Sequence, residues 1–505
     1  MRKLILFFLV LLFFLASACN LPIKSLQGRP DPTQTAGPAI LATQEKPALN
    51  LQTPSPTHTS QALPTATRPL EYDPDRFVAY AVQSGDTLNG VAAHFGVAPD
   101  QIRSAGPLST QGLLPNQQTL IIPKLPEPAP LPRFLLLDSE VVNSPCGHSF
   151  NIREFVNTAN GRLRSYSQVV DSMSLTGAEI VQLVSENTSL NPHFLLAFIQ
   201  FRSHWVLENP AEPDLTHPLG LNIQHIEGLY LELSTYAQLV NIGYYAWRQG
   251  KMTELNFAEG GSARIAPELN AGSVALQYLF ARSFPQSAWE AQLYGPNGFL
   301  STYQKMFGEA QACARGSEPL FPDSMAFPTL ELPFAPGEAW ALTGGLHNDW
   351  DVGTPFGALD FAPITGEPPC TVSRAWVLAA AAGVVTRSAK GVVQLALLDD
   401  AGKTTGWDLL YMHIAAKDRI AVGTRVMADE RIGHPSCEGG YATGTHVHLA
   451  RNYHGEWIGA GDSFPYRLSG WLAVPGETQY QSTLVKGDQV VVSRSDGSKG
   501  SWIIR

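Results

Sequence analysis

The sequence predicts a multidomain protein: a small βααβ module, then an all-α middle domain, then an antiparallel all-β domain at the C-terminus. Its length of 505 residues is more than one hydrophobic core usually holds. Apolar residues recur with helical spacing between 137 and 318, whereas short apolar runs separated by Gly and Asp follow residue 335. Pro-rich stretches at 19–77 and 318–336 mark the boundaries between these regions.

Residues 1–18 have the pattern of a secretory signal. A basic start precedes an apolar stretch from Leu4 to Ala16, which is too short for a comfortable membrane span. Because the pattern ends at Cys19, it resembles a bacterial lipoprotein signal. That resemblance implies an exported protein with a lipid on Cys19, anchored to the cell membrane and facing the cell wall. An ordinary signal peptide that is cleaved nearby is the alternative.

Residues 19–77 are rich in Pro, Thr, Gln, Ala and Ser and contain few large apolar residues. Such a segment cannot bury enough surface to offset its ordering entropy, so it is predicted to be a disordered spacer. The net charge of −10, with only 15% charged residues, argues against nucleic acid as a partner.

Five cysteines also fit an exported protein. Without Cys19 an even four remain, and disulfides persist outside the cytoplasm. Four cysteines allow three pairings, which sequence alone cannot distinguish. Position favours Cys146–Cys313 and Cys370–Cys437, because each pair then falls within one predicted domain. The absence of a Cys-x-x-Cys spacing disfavours a zinc–thiolate site.

The first predicted folded unit spans residues 78–124. Its segments predict a strand, a helix at 89–95, a second short helix at 99–104 and a returning strand at 118–123. This order, with Ser84-Gly-Asp-Thr-Leu88 and Leu114-Pro-Asn-Gln117, resembles a LysM module. The resemblance implies binding of N-acetylglucosamine-containing glycans by two loops, through Gly85, Asp86, Thr87, Leu114, Pro115 and Asn116. A purely structural mini-domain is the alternative.

Residues 137–318 are predicted to be helical at about 150–158, 176–186, 192–205, 226–248, 271–282 and 298–311. The 192–205 segment is similar to the signature helix of lytic transglycosylases, which implies a lysozyme-like domain. Arg202 stands where that family has its glutamate acid, and a guanidinium cannot exchange the proton that glycosidic cleavage requires. The domain is therefore predicted to be inactive and to bind glycan or act as a spacer, although Glu186 or Glu208 could in principle substitute.

Residues 335–470 combine predicted antiparallel strands with a cluster of histidines, and 471–505 are predicted to extend the same β structure. Six of the thirteen histidines fall between 347 and 454. In a strand at 444–450, His446 and His448 project to one face because side chains alternate. Upstream lie His347, Asp360 and His413. Two histidines and a carboxylate form a zinc ligand set that leaves a fourth position for water.

This region resembles the zinc peptidoglycan endopeptidases of the lysostaphin, LytM and β-lytic group. The resemblance implies one zinc ion bound by His347, Asp360 and His448, with His413 and His446 as catalytic residues beside it. In the lysostaphin and LytM branch the first histidine precedes the aspartate by four residues, where this chain has Phe356. The thirteen-residue gap from His347 to Asp360 is instead similar to the β-lytic branch.

The predicted function is zinc-dependent hydrolysis of the peptide cross-links of bacterial peptidoglycan, with the LysM module targeting the polymer. One flanking histidine would orient or deprotonate water, and the other would stabilise the oxyanion and protonate the leaving amine; the sequence does not assign the two roles. Two alternatives stay open. One is a non-catalytic LytM-type regulator that binds a cell-wall amidase, and the other is a wall-anchored scaffold of glycan-binding modules.

Overall fold

A computed structural model describes residues 71–124, 133–308, 311–461 and 463–505. The predicted signal peptide, Cys19 and most of the predicted spacer lie outside these residues. No helix in the described part of the chain combines the length and the apolar character that crossing a membrane requires.

The N-terminal module is a three-stranded antiparallel sheet, ordered β1-β3-β2, with one helix. Its elements are β1 (Phe77–Ala81), α1 (Leu88–Phe95), β2 (Arg103–Ser104) and β3 (Thr119–Pro123). The predicted second helix is wrong: only a single 3-10 turn, Pro99–Gln101, forms before the chain enters β2. Isolated helices this short are marginal, and the backbone of Arg103 and Ser104 pairs with β3 instead.

The middle region is mainly helical, but it is not all-α. Its helices are α2 (Asp138–Val141), α3 (Pro145–His148), α4 (Ile152–Ala159), α5 (Arg162–Ser165), α6 (Gly177–Thr188), α7 (Pro192–Ser203), α8 (Gly228–Arg248), α9 (Ala271–Ser283), α10 (Gln286–Tyr294), α11 (Phe299–Phe307) and α12 (Gln311–Gly316). Two hairpins interrupt them, one of β4 (Ser167–Val170) and β5 (Met173–Thr176) and one of β6 (Glu254–Asn256) and β7 (Ser262–Arg264).

The β4–β5 hairpin corrects the all-α prediction for a local reason. Asp171 and Ser172 both have positive φ, 48° and 66°, as a two-residue turn between twisted strands requires. The flanking strands carry β-branched Val169, Val170 and Thr176, which favour extended structure. Strands of four residues contain too few apolar positions to distinguish the period of a strand from that of a helix.

The C-terminal region is antiparallel β, as predicted. Its strands are β8 (Ala339–Asn348), β9 (Phe356–Pro363), β10 (Val377–Leu378), β11 (Gly383–Ala389), β12 (Val392–Leu398), β13 (Thr404–Met412), β14 (Arg425–Val426), β15 (Arg431–Gly433), β16 (Val447–Tyr453), β17 (Glu456–Trp457), β18 (Arg467–Leu468), β19 (Trp471–Pro475), β20 (Ser482–Lys486), β21 (Gln489–Val492) and β22 (Trp502–Ile504). The main sheet runs β14-β11-β12-β13-β16-β9-β8-β22, and β18 to β21 form a small sheet of their own.

The central strand β16 is buried along its whole length. A strand that is covered on both faces is held rigidly and places its side chains accurately. The hydrophobic core continues from the helices of the middle region into the main sheet, whereas the N-terminal module has a small core of its own. Residues 471–505 contain the strands β19 to β22, and β22 pairs with β8 to form one edge of the main sheet.

Both predicted disulfides are present. Cys146 pairs with Cys313 and ties α3 to α12, and Cys370 pairs with Cys437, which joins the segment after β9 to the Gly-rich segment before β16. The Cα–Cα separations are 5.7 and 5.0 Å, within the usual range for a disulfide.

Candidate metal centre

Three neighbouring strands place the predicted ligands. In the β16–β9 ladder His448 stands directly opposite Asp360, and in the β8–β9 ladder His347 stands opposite Ala358, two residues from Asp360. All three side chains are buried. Strand register therefore brings together residues that are up to 101 positions apart.

The donor atoms of these side chains form a small triangle. His347 Nε2 lies 3.0 Å from His448 Nδ1, and Asp360 Oδ1 lies 3.4 Å from the first and 3.3 Å from the second. Ligand atoms on a tetrahedral ion, with bonds of about 2.0–2.2 Å, lie about 3.3–3.6 Å apart. The triangle has the dimensions that such an ion would need.

The outer nitrogens of the two histidines bond to the backbone. His347 Nδ1 lies 2.7 Å from the Gly345 carbonyl, and His448 Nε2 lies 2.9 Å from the Asp349 carbonyl. Since a carbonyl only accepts, each outer nitrogen carries the proton and each inner nitrogen of a neutral ring presents a lone pair. Two lone pairs and a carboxylate oxygen thus face one point, an arrangement that a cation would stabilise.

Burial and charge keep the triangle in its cation-binding form. Burial alone would raise the pKa of Asp360, but the nearby His347, His446 and His448 outweigh it and hold that pKa below its usual range. Burial lowers the pKa of His347. An ionised Asp360 beside a neutral His347 is the protonation state that metal binding needs.

His413 and His446, the predicted catalytic pair, lie beside the triangle. Their ring centroids are 4.4 Å apart, and His446 Nε2 is 3.8 Å from Asp360 Oδ1. His413 Nδ1 donates to the Glu438 carbonyl at 3.0 Å, and His446 Nδ1 donates to the Gly444 carbonyl at 2.7 Å. Both rings are therefore oriented by backbone, with Nε2 left for substrate or water.

Two residues at the centre were not found from the sequence. Tyr480 stacks on His347 with ring centroids 4.4 Å apart, and its backbone N–H donates to the Leu346 carbonyl. Asp349 acts through its backbone carbonyl, as described above for His448. No sequence signal points to either, because Tyr480 lies beyond the motif region and a carbonyl contact does not depend on residue type.

The predicted glycan-binding residues of the N-terminal module lie in two loops that face the rest of the chain. Thr87 caps α1 by accepting from Gly90 N, and Asp86 is bonded by Tyr80 Oη at 2.7 Å and Gln83 N at 2.8 Å. Leu114 is in the module's own core, and Pro115 is exposed.

The remaining two predicted glycan-binding residues contact other regions. Gly85 packs against the guanidinium of Arg248, and Asn116 bonds to the segment around Asp323. The structure therefore gives several of the six residues a role in packing or capping.

The candidate residues of the middle region do not converge. Arg202 donates from Nε to the Leu219 carbonyl at 2.7 Å and lies over the ring of Tyr236. Glu186 pairs with Arg387 at 3.1 Å, and the largely exposed Glu208 contacts His204 at 3.2 Å. Each carboxylate is engaged with a cationic or imidazole partner, at a different place.

Comparison with known families divides the chain in the same way. Residues 80–123 match the LysM domain family, and residues 134–320 match the family described as LasA, N-terminal domain. The second match does not confirm the lysozyme-like interpretation of the middle region. The chain is thus similar to a LysM domain over residues 80–123 and to the LasA N-terminal domain over residues 134–320.

Among curated proteins, Protease LasA from two strains of Pseudomonas aeruginosa is 28% identical over 304 residues, which covers 56% of this chain and 68% of the relative. Among solved structures, the deep-sea metalloprotease pseudoalterin is 23% identical, with 33% of this chain and 96% of that chain covered and a TM-score of 0.29. The catalytic domain of lysostaphin from Staphylococcus simulans is 22% identical, with 25% and 85% covered and a TM-score of 0.17.

Proposed function

We propose that this chain, a LysM-containing relative of the LasA proteases, is a zinc metalloendopeptidase that hydrolyses the peptide cross-links of peptidoglycan. The observation that carries the proposal is the convergence of lone pairs from His347, Asp360 and His448 within 3.0–3.4 Å. This donor set of two imidazoles and one carboxylate fits zinc and leaves a coordination position for a small molecule.

Bound zinc would supply Lewis acidity and an activated water for amide hydrolysis. The chain's own contribution is the pair His413 and His446. Burial lowers the pKa of His413 to about 3, so that ring is neutral at physiological pH. With Nδ1 donating to a carbonyl, Nε2 of each ring is an acceptor that can take a proton and later return it to a leaving amine.

The LysM domain supports peptidoglycan as the substrate class. Binding to the glycan strands would hold the peptidase close to the stem peptides and raise their effective concentration. The location is part of the same proposal: the protein is exported, and a lipid on Cys19 anchors it to the membrane facing the wall. Support for the anchor comes from residues 1–19 alone.

Digestion of purified, cross-linked muropeptides tests the activity. The zinc-loaded protein should release monomers with new amine termini, identified by product mass, and a chelator should stop the reaction. His448→Ala should lose both bound zinc and hydrolysis, whereas His148→Ala, at an exposed histidine on α3, should keep both. Hydrolysis by His448→Ala, or products ending in anhydro-sugars, would contradict the proposal.

The anchor has a separate test. Cells that express the full chain and are fed a labelled fatty acid should label the wild type but not Cys19→Ala. Equal labelling of both, or of neither, would reject lipidation at Cys19 and leave the peptidase proposal unaffected.

A further inference from the structure

The loop between the first two candidate ligands, residues 349–355, packs against the middle region. Gln238 on α8 donates from Nε2 to Asp351 Oδ2 at 2.6 Å. Gly353, with φ of +99°, approaches the same helix so closely that a Cβ would lie 2.8 Å from Ile242 Cγ1 and 3.1 Å from the Gln238 carbonyl. The loop is thus held by a side chain and by a close approach to the helix.

The same loop orients a candidate ligand. The Asp349 carbonyl accepts from His448 Nε2 at 2.9 Å, so the position of this carbonyl fixes the tautomer and ring orientation of His448. Within the loop, Asp349 N donates to the Pro355 carbonyl, and Thr354 Oγ1 donates to the Asp351 carbonyl at 2.8 Å. A displacement of Asp351 would therefore also displace the Asp349 carbonyl, because hydrogen bonds within the loop join the two residues.

We infer that α8 of the middle region positions the zinc ligand His448, with Gln238 as the positioning residue. The inference rests on the proposed zinc centre and gives the LasA-type N-terminal domain a role in it. Partners behind a metal-bound histidine commonly change metal affinity about 10–100-fold when they are removed. Gln238 does not contact His448 itself but holds the loop whose Asp349 carbonyl does. The loss of zinc affinity on its removal is therefore expected at the lower end of that range.

Zinc affinity, measured on the full chain by competition with a chromophoric chelator, tests the inference. Gln238→Ala should bind zinc about tenfold more weakly, and Gly353→Ala should weaken binding at least as much. Gln249→Ala, at an exposed glutamine at the end of α8, is the matched control and should bind like the wild type. Cobalt substituted for zinc should show an altered visible spectrum in Gln238→Ala and in Gly353→Ala, but not in Gln249→Ala.

Each outcome is decisive. Wild-type zinc affinity and cobalt spectrum in both Gln238→Ala and Gly353→Ala would overturn the positioning role while leaving the proposed function intact. A wild-type protein that binds no zinc would instead contradict the proposed function itself. Circular dichroism of each variant separates a local effect on the metal centre from loss of folding.

An independent observation concerns the LysM loops. Asn116 donates from its backbone N to Asp323 Oδ1 at 2.8 Å, and its side-chain Nδ2 donates to Asp323 Oδ1 at 2.9 Å and to the Phe321 carbonyl at 2.8 Å. From the other loop, Ser84 Oγ accepts from Phe321 N at 2.9 Å. The segment 321–323 thus bonds to both predicted glycan-binding loops.

The loop that contains Ser84 and Gly85 is also covered by Arg248. Arg248 donates to the Ser84 carbonyl, and its guanidinium lies where a Cβ on Gly85 would be, within 2.5–3.1 Å. A cavity of about 170 Å³ remains between Gly112–Asn116 and the segment that runs from Phe321 to Phe327. The backbone and side-chain donors of Asn116, which could bind a sugar's acetamido or hydroxyl oxygens, are therefore already engaged by the chain itself.

We propose that the segment 321–323 is an internal competitor for the LysM glycan site, so that glycan binding must displace it. This proposal rests on the glycan-binding role of the LysM domain. If the open form is only a fraction of the population, the apparent dissociation constant rises by the inverse of that fraction. Weakening the internal contact should therefore tighten glycan binding without any new contact to the sugar.

Calorimetric titration of the full chain with an N-acetylglucosamine pentamer tests the competition. Asp323→Ala removes a charged acceptor of two hydrogen bonds and should bind the pentamer about tenfold more tightly than the wild type. Ser84→Ala, which removes the acceptor for Phe321 N, should shift affinity in the same direction. Asp100→Ala removes an exposed charge elsewhere on the LysM domain and serves as the control.

Unchanged pentamer affinity in both Asp323→Ala and Ser84→Ala would overturn the competition. Absence of pentamer binding in every form would overturn it too, and would also remove the LysM domain from the proposed targeting. Hydrolysis of small soluble muropeptides, measured in parallel, should be equal in all forms, because the competition does not touch the metal centre.

Discussion

Arg248 of the middle region donates from Nε to Glu456 of the C-terminal β region at 2.9 Å. The same guanidinium donates to Asp138 Oδ2 at 2.7 Å and to the LysM carbonyl of Ser84. One buried cation thus joins two carboxylates and all three regions of the described chain. The three regions are held together at this point by buried contacts and are not joined by flexible linkers alone.

Removing this cation should destabilise the protein strongly. Arg248→Ala would leave Glu456 and Asp138 buried without their counter-charge, which typically costs about 3–5 kcal/mol. The free energy of unfolding from urea titration is the measurement. Arg467→Ala, at an exposed arginine, should change it little. An Arg248→Ala variant as stable as the wild type would show that the carboxylates find other partners.

The two flanking histidines should separate metal binding from hydrolysis. His413→Ala and His446→Ala each remove a proton-transfer group but no zinc ligand, so zinc content should stay near one per chain. The rate of muropeptide hydrolysis should fall about 10²–10⁴-fold. Zinc analysis and initial rates on the same preparations check this. Loss of zinc from either variant would make that histidine a ligand.

His94 should make stability depend on pH. Its Nε2 donates to the Trp247 carbonyl at 2.8 Å, and burial lowers its pKa to about 4. The unfolded chain has a histidine pKa of about 6.5, so it takes up a proton in the interval where the folded form does not. The stabilising contribution is complete above about pH 6.5 and is lost as the pH falls toward 4.

Comparison with His94→Gln isolates this effect from other titrating groups. Between pH 7 and pH 4 the wild type should lose about 3 kcal/mol relative to the variant. Urea titrations across that range measure the difference. In the control His148→Gln, at an exposed position, the free energy of unfolding should change with pH as it does in the wild type. The same pH dependence in His94→Gln would exclude linkage at His94.

The Cys370–Cys437 disulfide should support both stability and the site. It closes 67 residues of chain, for which the chain-entropy model gives about 4 kcal/mol. Cys437 also precedes Glu438, whose carbonyl orients His413. The double variant Cys370→Ser, Cys437→Ser should therefore unfold at lower urea and hydrolyse muropeptides more slowly. Normal hydrolysis in a destabilised variant would show that the disulfide contributes to stability but not to the orientation of His413.

The sequence by itself determined which side chains could bind a metal, and it determined the general architecture. His446 and His448, two residues apart in a predicted strand, together with His347, Asp360 and His413, were enough to predict a metal centre on a β domain; in the structure β16 begins at Val447, so His446 lies just before it. Alternation along a strand and the chemistry of zinc ligands are local properties, so they are visible in the residues themselves. The cysteines could be paired as well, because each pair falls within one predicted domain.

Only the tertiary structure decided what surrounds these residues. The stacking of Tyr480 on His347, the carbonyl of Asp349 behind His448 and the bonds from Asn116 to Asp323 join positions with no sequence pattern in common. Backbone carbonyls bond irrespective of residue type, and contacts between distant segments depend on how whole elements pack. The two-residue strand β2 escaped prediction likewise, because its pairing with β3, rather than local propensity, stabilises it.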